Sequence, residues 1–253
     1  PLPQLLNWLA AQQPDIVCLQ ETKLPDQDFP REAVAAAGYH VACSGQKTYN
    51  GVALLTREVP TDVIIGNPLF PDEQRRLLTA TVQGICVVSA YVPNGQAVGS
   101  DKYAYKLRWL GRLRAFLTKA MDESSAETVA GKKLPRLLCG DWNVAPGDKD
   151  VYDPAGWRDT VICHEHARTA LSDALAVGGL VDTLRKVRPD DTVYTYWDYR
   201  QLAFPKNLGL RIDHIFASPE LAERCVEAVV DRNARKGEKP SDHAPVLCRF
   251  RRE

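Results

Sequence analysis

Short apolar segments of strand length recur along the whole chain, and this pattern restricts the fold more than any other feature. They are rich in Val, Ile and Leu, and several are apolar at consecutive rather than alternate positions. They occupy residues 15–20, 39–44, 51–56, 76–82, 86–92, 136–142, 193–199, 211–217 and 244–250. A strand that is apolar on both faces is covered on both sides, by helices or by a second sheet.

Helical patterns lie between these segments. They cover residues 2–11, 31–37, 102–121, 166–177 and 219–225. Helices and strands mixed over 253 residues, with 45% hydrophobic content, predict an α/β sandwich in a single domain spanning residues 1–253. The segment 122–133 is small and polar without an apolar period, and it is predicted to be a surface loop.

Composition narrows the cellular setting but not the partner. The chain has 32 Lys plus Arg and 32 Asp plus Glu, so its net charge does not indicate a nucleic-acid partner. A cluster of acidic ligands can, however, cancel the charge of a basic face elsewhere on the protein. No apolar run is long enough to span a bilayer, and no signal segment opens the chain. Seven scattered cysteines without zinc-binding spacing predict free thiols and no zinc. We therefore expect a soluble cytoplasmic protein, associated with the nucleoid if bacterial.

Polar residues at the ends of the predicted strands are the candidates for chemistry. They are Glu21 in LQETK, Tyr91 and Asn94 in AYVPNG, Asp141 and Asn143 in GDWN, Asp213 in RID, and Asp242 and His243 in SDHAP. Each of these residues has a plain alternative explanation as a solvated side chain or part of a turn. Asp213 is harder to explain in this way, because an acid inside an apolar strand requires a partner. Together they form an oxygen-rich set that suits Mg²⁺ or Mn²⁺, and metal-assisted attack of water on a phosphate ester.

The order of the motifs resembles the exonuclease III family of abasic-site (AP) endonucleases, within the endonuclease/exonuclease/phosphatase superfamily. The motifs are LQETK, YNGVALL, YVPNG, GDWNVAP, TYWDYR, LGLRIDHIFAS and KPSDHAPV, and they cover nearly the whole chain. The resemblance implies a DNase-I-like four-layered α/β sandwich, in which two packed mixed β-sheets are flanked by helices. It also implies an active site where the two sheets open at one edge.

The resemblance further implies a divalent-metal site. Glu21 and Asp242 would hold the metal, with Asp141 and Asn143 as further ligands, and Mn²⁺ is a plausible substitute for Mg²⁺. Asp141 would orient or deprotonate the attacking water. Asn143 would position the nucleophile and the phosphate.

A second group of residues would act on the phosphate. Asp213 would hydrogen-bond His243 and favour its imidazolium, which stabilises the charge developing on the phosphate. Tyr91 would donate to a phosphate oxygen, and Asn94 would contact the same phosphate region. Whether Asp141 or the Asp213–His243 pair is the general base stays open.

Further positions match DNA contacts of the family. Tyr196 is expected in a pocket for the base-less sugar, with Trp197 behind it and Leu210 as another wall, although core packing also explains such residues. Backbone contacts are implied for Lys23, Tyr49 and Arg76, which would supply affinity rather than sequence recognition.

The chain departs from the family pattern at two places. Members normally begin with a strand of the type Trp-Asn-Val-Asn, and this chain has no such strand, so either the chain is truncated or a central strand and one site residue are missing. The segment 161–171, where relatives vary, contains His164 and His166, which we expect to be exposed and able to tune endonuclease against exonuclease activity.

The predicted function is a Mg²⁺-dependent repair hydrolase that cleaves DNA 5′ to an abasic site in base excision repair. It would act as a monomer on duplex DNA with abasic sites or blocked 3′ ends, without a membrane. Additional 3′–5′ exonuclease or 3′-phosphatase activity is not ranked by the sequence. The alternatives are a phospholipid or inositol phosphate phosphoesterase of the same superfamily, and an inactive DNA-binding member.

Overall fold

The computed structural model describes residues 2–122, 128–129, 132–237 and 239–252. The α-helices are α1 (Leu2–Gln12), α2 (Arg31–Ala36), α3 (Asp101–Asp122), α4 (Pro154–Trp157), α5 (Glu165–Ala176), α6 (Thr183–Val187), α7 (Ala203–Lys206) and α8 (Pro219–Ala222). The strands are β1 (Ile16–Gln20), β2 (His40–Ser44), β3 (Val52–Thr56), β4 (Thr61–Ile65), β5 (Leu77–Val82), β6 (Ile85–Tyr91), β7 (Thr128–Val129), β8 (Lys132–Lys133), β9 (Arg136–Asp141), β10 (Val181–Asp182), β11 (Asp213–Ala217), β12 (Cys225–Val230) and β13 (Val246–Phe250).

The chain divides into two compact units. Unit 1 comprises the described residues of 1–91 and 124–140, and unit 2 those of 92–123 and 141–253. The prediction of a single domain over residues 1–253 stays a prediction.

Unit 1 consists of helices and two packed groups of strands. In one sheet β3 lies between β1 and β2, and both pairs are antiparallel. Strands β9, β6, β5 and β4 lie side by side in that order. Leu54 of β3 packs with Leu78 and Val87 of the second group, while its neighbour Leu55 packs with Leu9 and Val34 of α1 and α2. The fully apolar β3 is therefore covered on both faces, as its sequence predicts.

A glycine permits close contact between β9 and β6. A Cβ atom at Gly140 would lie 1.8 Å from the carbonyl oxygen of Ala90. Any side chain at this position would push the two strands apart. Gly140 therefore fixes the backbone immediately before Asp141, the residue that ends β9.

Unit 2 contains two short antiparallel strand pairs, β10 with β11 and β12 with β13. Its interior holds an ion-pair cluster as well as apolar side chains. The Arg211 guanidinium donates to Asp150 at 2.7 Å and to Asp182 at 2.7 and 3.1 Å. Burial by itself would raise the carboxyl pKa values of Asp150 and Asp182, but Arg211 holds both below their usual range. Buried charges are tolerated here because each is paired.

Most predicted elements are present, and the exceptions have structural reasons. Residues 193–199 do not form a strand, because Tyr196 makes only isolated bridges to Leu210 and His243. Their backbone groups bond to loop backbone instead: the N–H groups of Thr195 and Tyr196 to Leu210, and that of Trp197 to Asp242. The predicted helix 219–225 ends at Ala222, and Cys225 starts β12.

Two short paired strands lie in the predicted loop 122–133. Thr128–Val129 and Lys132–Lys133 pair antiparallel, so the loop prediction is wrong there. Asp122 is the last residue of α3. The other residues of this loop lie outside the described residues.

The seven cysteines are free thiols, as predicted. Five are buried, and Cys18 and Cys248 are half-buried. Within the described residues, none of the helices has the length and apolar character that crossing a membrane requires.

Candidate active site

The start of β11 carries a carboxylate that binds an imidazole. His243 Nδ1 lies 2.8 Å from Asp213 Oδ2 and 3.0 Å from Oδ1, so the predicted hydrogen bond is present. Thr195 Oγ1 accepts the backbone N–H groups of Ile212 and Asp213 and fixes the strand start. The N–H of His243 donates to Ser241 Oγ at 3.1 Å, which stiffens its loop.

The charge of His243 follows from the carboxylates around it. Burial alone lowers the pKa of this imidazole, but Asp213, Asp141 and Asp242 outweigh burial and raise it to about 10. His243 Nε2 lies 4.0 Å from Asp141 Oδ2. With Nδ1–H held by Asp213, the side chain is an imidazolium at neutral pH whose second N–H is on the Asp141 side.

Asp141 and Asn143 form a hydrogen-bonded pair at the end of β9. Asn143, whose backbone φ is 48°, donates its N–H to Asp141 Oδ1 at 2.9 Å. Its Nδ2 donates to Asp141 Oδ2 at 3.1 Å and to the Val92 carbonyl at 2.9 Å, and its Oδ1 accepts from Asn94 Nδ2 at 3.2 Å. Both amide hydrogens are used, so the orientation of the Asn143 side chain is fixed by its partners.

Backbone pairing explains why Asp141 and Asp213 are close. The N–H of Trp142 donates to the Ile212 carbonyl at 2.8 Å. Oxygens of Asp141 and Asp213 and a ring nitrogen of His243 lie within 4.8 Å of one another, a spacing that would allow a metal ion. Because His243 is protonated, oxygens are the donors this group offers. Such a donor set suits Mg²⁺ or Mn²⁺ better than softer metals.

A buried lysine beneath this pair was missed by the sequence analysis. Lys106 of α3 is fully buried, and its Nζ donates to the carbonyls of Asn94, Asn143 and Val161 at 3.2, 2.5 and 2.7 Å. Burial lowers the pKa of its ammonium to about 7, and the Asp141 carboxylate opposes this. The sequence signal that could have identified Lys106 is its position on the apolar stripe of α3.

The residues of that stripe are Tyr103, Lys106, Leu110 and Leu113, each nearly or fully buried. They follow the three- and four-residue spacing of one helix face. A lysine inside such a stripe requires acceptors in the interior. The spacing alone does not say which acceptors these are.

The aromatic motif places one ring beside the imidazole and one in the interior. The Tyr196 ring packs edge-on against His243 with centroids 5.1 Å apart, and it is half-buried. Burial, followed by Asp198 and Asp242, raises the pKa of Tyr196 to about 12, so its hydroxyl stays protonated. Trp197 is fully buried and donates to Asn207 Oδ1 at 3.2 Å. Leu210 is also buried.

Two arginines that sequence reasoning missed lie against Trp197. The guanidinium carbons of Arg232 and Arg235 lie 4.9 and 5.7 Å from the centroid of its ring. Arg235 also lies 4.6 Å from the Phe204 ring and donates to the Trp197 carbonyl at 3.1 Å. This cation–π packing holds the Trp197 segment in place.

The predicted residues of unit 1 form a group of their own. Glu21 follows β1 with a backbone φ of 53°, accepts from the Tyr91 hydroxyl, and pairs with Lys23 Nζ at 2.7 Å. Arg76 lies 4.5 Å from the centroid of the Tyr91 ring and donates to its carbonyl at 3.2 Å. Arg76 is thus half-buried support for Tyr91, whereas Tyr49 is 68% exposed.

The two histidines of segment 161–171 lie at the start of α5. His166 is exposed, as expected, but His164 is half-buried. His164 Nδ1 accepts the backbone N–H of His166 at 3.3 Å and so caps the helix. Its ring also packs against Tyr103, with centroids 5.6 Å apart.

Fold and site together define a class. Layers of helices and strands carry a carboxylate–imidazolium pair and a buried Asp–Asn pair at strand ends, a construction suited to cleavage of phosphate esters. Residues 3–243 match the model of the Endonuclease/Exonuclease/phosphatase family. The chain belongs to this family, and it is therefore an enzyme of the nuclease and phosphodiesterase class.

Three relatives show how specific the match is. The chain is 36% identical over 260 residues to exodeoxyribonuclease III of Haemophilus influenzae, covering 98% of this chain and 94% of the relative. An AP endonuclease from Archaeoglobus fulgidus superposes with a TM-score of 0.91 and 43% identity, covering 98% and 93%. The 3′ phosphatase NExo from Neisseria, bound to product DNA hairpin, superposes with a TM-score of 0.93 and 43% identity, and the match covers 99% of this chain and 94% of that one. The predicted family and fold class are confirmed.

Proposed function

We propose that this protein is a Mg²⁺-dependent AP endonuclease, which cleaves duplex DNA on the 5′ side of an abasic site and leaves a 3′-hydroxyl. The observation that carries the proposal is the Asp213–His243 pair with the Asp141 carboxylate 4.0 Å beyond it. Such an arrangement offers a carboxylate for the attacking water beside a cation for the phosphate. The similarity to an AP endonuclease supports the choice of substrate.

The charge state of His243 favours one assignment of the general base. An imidazolium has no free lone pair, so His243 is assigned to stabilise negative charge on the phosphate. Asp141 is assigned to orient and deprotonate the water. Asp213 holds the imidazolium in place through Nδ1.

The phosphate would be positioned by the second amide hydrogen of Asn94, because both amide hydrogens of Asn143 are donated to Val92 and Asp141. Asn94 and Asn143 are tied to each other by a hydrogen bond of 3.2 Å, and Asn143 is fixed by Asp141 and Val92. Groups held in place before the substrate binds need no reorganisation during the reaction. Tyr91 is assigned as a hydroxyl donor to a phosphate oxygen.

The donor chemistry of the predicted ligands fits a hard divalent cation. We assign Glu21 and Asp242 as metal ligands, with Asp141 and Asn143 as further oxygen donors, and Mn²⁺ as a substitute for Mg²⁺. When bound, the cation supplies Lewis-acid stabilisation of charge on the phosphate.

The sugar pocket is assigned to the aromatic motif. Tyr196 is half-buried beside His243, which suits a ring that contacts a flipped-out sugar. Trp197 and Leu210 are almost completely buried, so we assign them to support the wall from behind. Contacts to the DNA backbone are assigned to the exposed or half-buried residues Lys23, Tyr49 and Arg76.

We also propose that the protein acts as a monomer in the cytoplasm. Its seven cysteines are free thiols, which a reducing compartment preserves.

A second activity, removal of 3′-phosphates, is favoured by one observation. The match to the 3′ phosphatase NExo is as high in identity and coverage as the match to the AP endonuclease. Both reactions attack a phosphate ester and would use the same Asp141 and His243. In the endonuclease reaction the DNA chain continues beyond the scissile phosphate, whereas in the phosphatase reaction it ends there.

The test uses a labelled duplex with one tetrahydrofuran abasic analogue, an undamaged duplex, and a duplex ending in a 3′-phosphate. Each is incubated in Mg²⁺ and in EDTA. A single Mg²⁺-dependent cut at the analogue, absent from the undamaged duplex, is the expected result. If only the 3′-phosphate is removed, the protein is a phosphatase and the proposed endonuclease activity is wrong. If neither the abasic duplex nor the 3′-phosphate duplex is turned over, both proposed activities are refuted.

Variants test the site assignment. Asp141→Ala and His243→Ala are each expected to lower the single-turnover rate by several orders of magnitude, while DNA affinity, measured by fluorescence anisotropy, changes little. Wild-type rates in both variants would show that the assignment is wrong. An exposed variant away from the site, Arg114→Ala, serves as the control and should cleave normally.

A further inference from the structure

Lys106 connects three separate segments of unit 2. Its ammonium donates to the carbonyl of Asn94 in the loop after β6, to that of Asn143 in the loop after β9, and to that of Val161 before α5. Its side chain is fully buried. In its protonated form the side chain has three N–H groups, so these three acceptors use its whole hydrogen-bonding capacity.

The surrounding contacts show that these loops are built around the lysine. A Cβ atom at Gly95, which has φ +98°, would lie 3.2 Å from Lys106 Cδ, so the turn after Asn94 packs directly on the lysine stem. The N–H of Ala145 donates to the Ile162 carbonyl at 3.0 Å and joins the other two segments. The ammonium therefore lies at the junction of all three.

Two of the three segments carry the side chains assigned to the phosphate. Asn94 Nδ2 donates to Asn143 Oδ1 at 3.2 Å, so the two amides are correctly oriented only when the two loops keep their separation. Asn143 also has a left-handed backbone, with φ 48°, which asparagine adopts at little cost. Lys106 binds the backbone carbonyls of both residues, so it can hold the two loops at the separation that the amide contact needs.

We propose that Lys106 is a positioning residue for the Asn94–Asn143 pair, and that it acts on phosphate cleavage through Asn143 without contacting the substrate. The inference rests on the proposed function for its effect on rate. Its geometric part concerns only how the two amides are held. A lysine is suited to this role because no neutral side chain presents three donors from one atom.

The first experiment is a double-mutant cycle between Lys106→Met and Asn143→Ala. Methionine keeps the length of the side chain but removes all three donors. In the wild-type background we expect Lys106→Met to lower the single-turnover cleavage rate about 10- to 100-fold, since a small misplacement of a positioned group has effects of this size. In the Asn143→Ala background the same substitution should lower it less than about 3-fold.

Matched variants separate positioning from loss of stability. Leu113→Ala removes buried apolar atoms from the same helix, and it should lower the melting temperature while leaving the cleavage rate unchanged well below that temperature. Lys106→Gln retains two amide hydrogens and should give an intermediate rate, and it replaces Lys106→Met in the cycle if that variant does not fold. An equal loss of rate in both backgrounds of Asn143 would overturn the proposal.

A second readout does not depend on cleavage. In ¹⁵N spectra of the whole protein, the side-chain amide signals of Asn94 and Asn143 should move in Lys106→Met or Lys106→Gln, while those of Asn67 should not. Unmoved Asn143 signals would refute the positioning role. If the wild-type chain cuts no DNA, the proposed function fails, and the amide spectra still decide the role of Lys106.

Discussion

Replacing Asp213 by asparagine would show how much of the charge on His243 this carboxylate controls. The substitution keeps size and one oxygen acceptor but removes the negative charge that lies 2.8 and 3.0 Å from His243 Nδ1. The pKa of His243 is lowered by burial and raised to about 10 by Asp213, Asp141 and Asp242. Asp141 and Asp242 remain in the variant, so only part of the increase should disappear.

The size of the effect follows from the hydrogen bond. A hydrogen bond to a charged partner contributes about 1.5–3 kcal/mol, and one pH unit corresponds to about 1.4 kcal/mol, so the pKa should fall by about 1 to 2 units. We therefore expect the titration midpoint of His243 in the metal-free variant at about 8 to 9. Because a raised histidine pKa stabilises the fold below the ordinary pKa, the variant should lose stability mainly at neutral and acidic pH.

The assay follows the ¹³C and ¹⁵N shifts of the His243 ring against pH in metal-free protein. Asp198→Asn is the control, because it also removes one negative charge beside Tyr196 but is not among the groups that determine the pKa of His243. A midpoint near 10 in Asp213→Asn would refute the view that Asp213 maintains the imidazolium. With abasic DNA and Mg²⁺, the same variant should cleave about 10- to 100-fold more slowly at pH 8.

Two further predictions concern the stability of unit 2. Arg211→Met leaves Asp150 and Asp182 buried without their main partner, and it should lower the free energy of unfolding, measured in urea, by about 3–5 kcal/mol. Arg114→Met, at an exposed ion pair, should change it by less than about 1 kcal/mol. Similar values for the two variants would show that Arg211 does not stabilise the buried carboxylates. Burial, followed by the charge of Arg211, lowers the pKa of His214 to about 4. Between pH 6.5 and 4 the unfolded chain therefore binds a proton at His214 that the folded chain does not bind. As the pH falls over that interval, wild-type stability should decrease by about 3 kcal/mol relative to that of His214→Leu. A constant difference across these pH values in urea unfolding would show that His214 does not titrate with folding.

The sequence predicted most of the fold because apolar periodicity is a local property. The fully apolar segment of β3 and the long amphipathic α3 follow directly from residue order. Strands β4 and β12 were missed although both contain Val or Ile: β4 is mostly exposed, and the first residue of β12, Cys225, was included in a predicted helix. Residues 193–199 resemble a strand in composition, but their backbone N–H groups bind the loop residues Leu210 and Asp242 and form no ladder with a strand.

The candidate site shows the same division. The chemically distinctive residues, including Asp141, Asp213 and His243, were identified from short motifs at strand ends. Lys106 and Arg235 were not identified, although each binds the backbone carbonyl of a predicted site residue, Asn143 and Trp197 respectively. The apolar stripe of α3 indicates that Lys106 is buried, but no local pattern shows which acceptors a buried lysine or arginine binds.

By itself, the sequence determined the family, the fold class and the set of candidate side chains, because these depend on local pattern and on the order of motifs. Only the tertiary structure decided that His243 Nε2 lies 4.0 Å from Asp141 Oδ2, and that Lys106 binds the loops of Asn94 and Asn143. Hydrogen bonds between residues far apart in the chain depend on how strands and helices pack. The protonation of His243 depends in turn on that packing, because it is the carboxylates brought around the ring that keep the imidazole charged.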